Sequence, residues 1–191
     1  IASVAHVSLL SRIEEMPSAF LLESDFGERK PLRPAAGPRG TRIEVRDLFL
    51  RIPARLKYLR SSATEFSHCS RLVREIALGN PGTSFFLFHE KRQIASYVGK
   101  SQPERFKECF RVTWQPFFLE EHTDDMALSA LLSPATHLQN KGELFLFLNG
   151  RPVKNRILLA AVRQAYLEAL GPGHEPSGAI YLRIRADWVD V

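Results

Sequence analysis

Apolar and small polar residues interleave through IASVAHVSLLSR, where Val4, Val7 and Leu9-Leu10 are spaced as in a strand. AFLLES, residues 19 to 24, reads as its partner. Residues 25 to 40, DFGERKPLRPAAGPRG, hold Pro, Gly and few large apolar groups, which predicts an exposed connection. TRIEVRDL then alternates Ile43, Val45 and Leu48 with charges, the pattern of a half-buried strand. A helix follows: Ser62-Ala63-Thr64-Glu65 fits a capping box, and Phe66, Cys69, Val73, Ile76 and Ala77 recur at helical spacing until Gly79 and Pro81. SFFLFHE and QIASYV predict a hairpin turning at Glu90-Lys91, and QPERFKECF, 102 to 110, a short helix.

PFFLEE, MALSALL, ELFLFLNG and AIYLRIR are the later strand candidates. Leu144 to Leu148 is apolar throughout, so both faces of that strand should be covered. NRILLAAVRQAYLEALG is the clearest helix, with Leu158, Val162, Ala165 and Ala169 on one face and Gly171-Pro172 at its end. The expected class is α+β, with a boundary near residue 100 separating domains 1–100 and 101–191.

Net charge is +5, from 26 Lys+Arg against 21 Asp+Glu, which suits an anionic partner. No run reaches the ~18 apolar residues of a membrane helix, and no membrane partner is expected. The start lacks a signal-peptide pattern and an initiator Met, so an excised piece of something longer is expected. Cys69 and Cys109 form no metal-type pair and fit a reducing compartment, while His6, His68, His89, His122, His137 and His174 show no ligand spacing.

The stretch DLFLRIPARLKYLR, 47 to 60, puts Arg51, Arg55, Lys57 and Arg60 around Pro53. A scaffold reading has Pro53 fixing the connection, with Leu48, Phe49, Tyr58 and Leu59 anchoring it and the basic heads in water. Asn149-Gly150 normally marks a hairpin, but the helix just downstream favours a strand-to-helix loop with Asn155 as N-cap. Arg151, Lys154 and Arg156 then crowd the helix start, followed by Arg163, where positive charge opposes the helix dipole and invites an anion. The bland alternative is a solvated loop. Gly40-Thr41 reads alone as an ordinary strand start. Glu120-Glu121 and Asp124-Asp125 read as the polar turn of a hairpin.

Three stretches taken together resemble the MutL family of DNA mismatch repair proteins: GTRIEVRDLFLRIPARLKYLR, FLFLNGRPVKNRILLAAVRQAYLEAL and the terminal WVDV. Arg51 departs from the family, which usually carries Asn there. The resemblance implies the rear part of a GHKL-type ATPase α/β sandwich followed by a ribosomal protein S5 domain 2-like transducer, truncated at its C-terminal end and containing a left-handed β-α-β crossover. It implies ATP and magnesium in the parent protein and none bound to this stretch, because the family's catalytic glutamate, magnesium-binding asparagine and glycine-rich lid come earlier. Gly40 and Thr41 match a nucleotide-site motif, with the hydroxyl beside the phosphates. Arg156 matches a position implicated in DNA binding, with Arg151, Lys154 and Arg163 as its companions.

The implied mechanism is an ATP-driven clamp that dimerises through its N-terminal region, as homodimer or paralogue heterodimer, around DNA. It would couple a MutS-type mismatch sensor to later repair steps. Double-stranded DNA is the expected ligand and single-stranded DNA a second candidate, held by phosphate contacts without sequence readout. The stretch alone is expected to hydrolyse no ATP. Cytoplasmic localisation follows for a bacterial source and nuclear for a eukaryotic one. Rival readings are another GHKL ATPase, such as a type II topoisomerase subunit, and a generic basic nucleic-acid-binding module.

Overall fold

A computed structural model describes residues 1–137, 142–172 and 175–189. It divides into two compact units, Ile1–Glu65 and Phe66–Val191. In the first, a 3-10 turn (Ala2–Val4) leads into β1 (His6–Arg12), β2 (Ala19–Asp25), β3 (Glu28–Arg29), β4 (Arg33–Ala35) and β5 (Gly40–Arg46). The sheet runs β3-β2-β1-β5, with β4 also on β2, and every pair is antiparallel. Val7, Leu9 and Ser11 stand opposite Val45, Ile43 and Thr41. Strand alternation puts those six on one face and His6, Ser8, Arg12, Arg42, Glu44 and Arg46 on the other.

Residues 25 to 40 are therefore more than a connection. Phe26 (φ 47°) and Gly27 (φ 100°) make a tight turn that returns the chain onto β2 as β3. Pro34 sits in the very short β4, where a missing N–H is tolerated at an edge.

After β5, Asp47 (φ 57°) and Phe49 (φ 64°) turn in the left-handed region. The Phe49 N–H donates to the Val4 carbonyl at 2.9 Å. Pro53 then opens the one-turn helix α1 (Pro53–Leu56), at a position where no helical N–H is needed. The expected anchoring is only partly present. Phe49 is half-buried, but Tyr58 is 85% exposed because α1 is too short to fold it back.

Helix α2 (Ser62–Gly79) starts as expected, but its cap lies one residue earlier. The Ser61 hydroxyl accepts from Thr64 N–H at 3.3 Å, and the Glu65 carboxylate accepts from Arg60 N–H at 2.9 Å. β6 (Phe85–His89) and β7 (Arg92–Tyr97) form a hairpin about Glu90 and Lys91, both at positive φ (48° and 65°), as a tight primed turn requires. α3 (Gln102–Phe110) has a true capping box, Ser101 with Glu104. Hydrogen bonds from Ser101 hold the Glu104 carboxyl below its ordinary value.

β8 (Phe117–His122), β9 (Met126–Leu132), β10 (Leu144–Leu148), β11 (Arg151–Val153) and β12 (Gly178–Ile184) make the second sheet, ordered β11-β10-β12-β9-β8. β10 and β12 are parallel and are connected through helix α4 (Arg156–Leu170). One face packs Ala130, Leu132, Leu144, Leu146 and Ile180 against Leu159, Val162 and Tyr166 of α4. The expected α4 face is thus displaced: Leu158 is 40% exposed and Leu159 points inward. The other face packs Leu131, Phe145, Phe147 and Ala179 against Ala77 and Leu78 of α2, Tyr97 of β7, and Phe106 and Cys109 of α3. β10 is covered on both faces, as its unbroken apolar run requires.

That shared core continues across residue 100, and the two compact units meet in sequence at 65/66. Tyr97 and Phe106 flank residue 100 and belong to one cluster. Arg105 fastens the same region. It is fully buried, and its guanidinium donates to the carbonyls of Ala77 (3.0 Å), Asn80 (3.4 Å), Pro81 (3.1 Å), Thr83 (2.8 Å) and Gly99 (2.8 Å). Glu108 lies 3.5 Å from its Nε and accepts from the Val98 and Gly99 N–H groups. A buried charge is sustainable only with this degree of satisfaction.

Candidate functional site

The expected basic cluster forms at the start of α4. Asn149 (φ 49°) and Gly150 (φ 79°) turn a tight hairpin that pairs Leu148 with Arg151. The hairpin that Asn-Gly ordinarily signals is therefore present, followed by a short link into the helix, and the strand-to-helix loop reading is corrected. The two signals coexist because β11 is only Arg151–Val153. The Asn149 carboxamide oxygen also accepts from Ile184 N–H at 3.0 Å, tying the turn to β12.

Asn155 caps α4 as expected. Its Oδ1 accepts from Ile157 and Leu158 N–H, each at 3.0 Å. Arg151, Lys154 and Arg156 are exposed, and among the described residues none has an acidic side chain within ion-pair distance. Arg163 stands two turns beyond Arg156, on nearly the same side of the helix at ~100° per residue. It is 3.9 Å from Glu175, at the limit of an ion pair. The helix N-terminus adds partial positive charge to three uncompensated cations. The surface can hold anionic oxygens such as phosphates.

Most basic residues around residues 42 to 60 are occupied. Arg42 and Arg46 both pair with Glu44, and Arg42 foremost holds that carboxyl below its ordinary value. Arg51 lies 4.1 Å over the Phe26 ring and 3.4 Å from Asp25. Arg55 sits 5.7 Å over the Phe49 ring. These contacts fit the scaffold reading. Asn at the Arg51 position would be too short for either contact.

Gly40 and Thr41 open β5 in the first unit. Gly40 adopts φ 111°, with nothing within 4 Å of where a Cβ would stand. The Thr41 hydroxyl is 2.9 Å from that of Ser11, directly opposite on β1. A groove of about 300 Å³ lies at this end of the sheet, lined by Ser11, Arg12, Arg39, Gly40 and Thr41 among others. Arg39 is paired with Glu14 at 2.8 Å. Ser11 was not legible as a site residue: a strand serine carries no local signal, and its partner is 30 residues away. Among the described residues, no three His, Cys, Asp or Glu side chains come together as a metal site. No helix among the described residues is long and apolar enough to cross a membrane.

The mixed helix-and-strand fold is similar to that of solved GHKL-type ATPase domains. The solved Aquifex aeolicus MutL ATPase domain complexed with ADP is similar at 29% identity and TM-score 0.78, covering 97% of this chain and 70% of that one. The 43K ATPase domain of Thermus thermophilus gyrase B, at 12% identity and TM-score 0.56, shares the fold alone over 96% of this chain and 56% of its own. Sequence comparison narrows the class. The family model for the DNA mismatch repair protein C-terminal domain matches residues 112–191. DNA mismatch repair protein MutL of Paramagnetospirillum magneticum is 34% identical across 100% of this chain and 33% of its own length. That of Neisseria meningitidis is 32% identical across 100% of this chain and 30% of its own. The chain belongs to the MutL family of DNA mismatch repair proteins. It spans about a third of the length of the curated relatives it matches.

Proposed function

We propose that this chain supplies the DNA-backbone grip and one wall of the nucleotide site in an ATP-dependent mismatch repair clamp. The observation that carries this reading is the cluster of Arg151, Lys154 and Arg156 at the capped start of α4, exposed and without acidic partners among the described residues. Charges so placed oppose the helix dipole and are stabilised when phosphates neutralise them. Arg163 extends the grip along α4. Contacts of this kind hold any sequence, as a protein acting wherever a mismatch occurs requires.

Thr41 and Gly40 stand at the nucleotide in this reading, and the ADP-bound Aquifex relative supports it. The missing Cβ at Gly40 leaves the backbone open to close approach. The general base and the magnesium ligand belong to other residues of the complete protein. ATP binding closes the clamp and pairs two N-terminal regions, and a MutS-type sensor directs it to DNA. Binding of duplex DNA by wild type and by Arg156→Glu across a salt series tests the grip. The variant should bind more weakly, and its log–log salt slope should be shallower by roughly 0.9 for each phosphate it no longer neutralises. Equal affinity and equal slope would remove Arg156 from the interface.

A further inference from the structure

We propose that Ser11 is a positioning residue for the nucleotide site, acting through Thr41; this rests on the nucleotide reading above. The two residues are directly opposite across β1 and β5, and their hydroxyl oxygens are 2.9 Å apart. A hydroxyl has one proton and two lone pairs, and an exposed hydroxyl proton rotates among staggered positions. The bond between the two oxygens fixes the donor's proton, and the accepting hydroxyl keeps its own proton to offer outward with fewer positions open to it.

The surroundings of the pair define what it meets. Leu9, Ile43 and Val45 continue the same face, and Ile43 is 61% exposed. Arg12, Arg42 and Arg46 alternate onto the opposite face. A hydroxyl pair at the polar end of an uncharged, apolar strip suits the uncharged hydrogen-bonding edge of a nucleotide. Two cations share the groove with the pair, but Arg39 is already paired with Glu14 at 2.8 Å and Arg12 alternates onto the other face of β1. In this proposal the Thr41 hydroxyl meets that edge, where the resemblance implied a place beside the phosphates. Orienting a donor and an acceptor before the ligand arrives lowers the ordering cost of binding.

Steady-state ATPase kinetics of the complete protein test this, with GTP as a competing substrate. Ser11→Ala should raise KM for ATP by about 3- to 10-fold, the net effect of one hydrogen bond, with a much smaller change in kcat. Discrimination against GTP should fall with it, and Ser11→Thr, which keeps the hydroxyl, should restore both. Thr41→Val separates the two levels of inference. If Thr41→Val raises KM and Ser11→Ala does not, the Ser11 role is wrong while the nucleotide reading stands. If Thr41→Val also leaves KM unchanged, both fall. If Ser11→Thr behaves like Ser11→Ala, the effect is structural and the positioning role is overturned.

Discussion

The Asn155 carboxamide oxygen accepts the backbone N–H of Leu158 at 3.0 Å, across the first turn of α4. Arg156 lies between them and opposes the dipole that this cap completes. Cap and cation therefore act on the helix with opposite signs. Asn155→Ala should lower stability by about 1 kcal/mol. Arg156→Glu places an anion at the positive end of the helix and should raise stability by about 0.3–1 kcal/mol while weakening DNA binding. Urea midpoints measured beside DNA affinities check the pair. Loss of stability in Arg156→Glu would mean that the arginine serves the fold.

Cys109 and Cys69 should differ sharply in reactivity. Burial pushes the Cys109 thiol up from its ordinary 9.0 to about 12, whereas Cys69 is exposed. In the native chain at pH 8, a disulfide reagent should titrate Cys69 rapidly and Cys109 only after unfolding.

The same burial gives an alkaline limit to stability. Cys109 is protonated in both folded and unfolded chains below about pH 9, so its favourable burial is fully present there. Above that pH the unfolded chain releases the proton and the folded chain keeps it, so stability falls until about pH 12. Burial also raises the Tyr97 and Tyr181 hydroxyls, which adds to the loss above their ordinary value of 10.0. Cys109→Ala should flatten the first part of this decline in unfolding curves taken between pH 8 and pH 11.

Arg105→Leu should cost more than about 3 kcal/mol, because each buried carbonyl left without a donor loses about 1–3 kcal/mol. Arg105→Lys keeps the charge but lacks the planar fork, and it should recover only part of the loss. Thermal or urea unfolding followed by near-ultraviolet circular dichroism reports this through Trp114, which packs 5.8 Å from Phe106 between ring centroids.

Gly79 ends α2 where a Cβ would come 2.9 Å from the Phe147 ring. Gly79→Val should cost about 1–3 kcal/mol through displacement of Phe147 in the core. The matching change at Gly82, where nothing lies within 4 Å, should be nearly silent by the same unfolding measurement.

Local chemistry was the legible part of this fold. Glu90-Lys91, the Asn155 cap and the unbroken apolar run of β10 each state their conformation within a few residues. Ser61 was passed over because Ser62 offered the same motif one position later, and short-range patterns do not separate adjacent hydroxyls. The pairing of β3 and β4 with β2 was hidden by Pro and Gly, whose turn preference masks two- and three-residue strands. Leu158 and Leu159 are chemically alike, and the register of the sheet beneath them chose which one is buried. Arg105 defied pattern altogether: an arginine normally reads as surface, and its carbonyl partners come from two separate segments, 77 to 83 and Gly99. In the candidate site, the cations at α4 were legible from spacing. The Ser11–Thr41 pair required knowing which strands are neighbours.

The β6–β7 hairpin is held at its root by carbonyls on both approach and exit, Thr83 and Gly99, while its tip at Glu90-Lys91 touches none of that anchor. Residues inserted at the tip would lengthen an arm whose pivot stays put. Such an insertion would change the reach of the arm while leaving the Arg105 anchor beneath it in place.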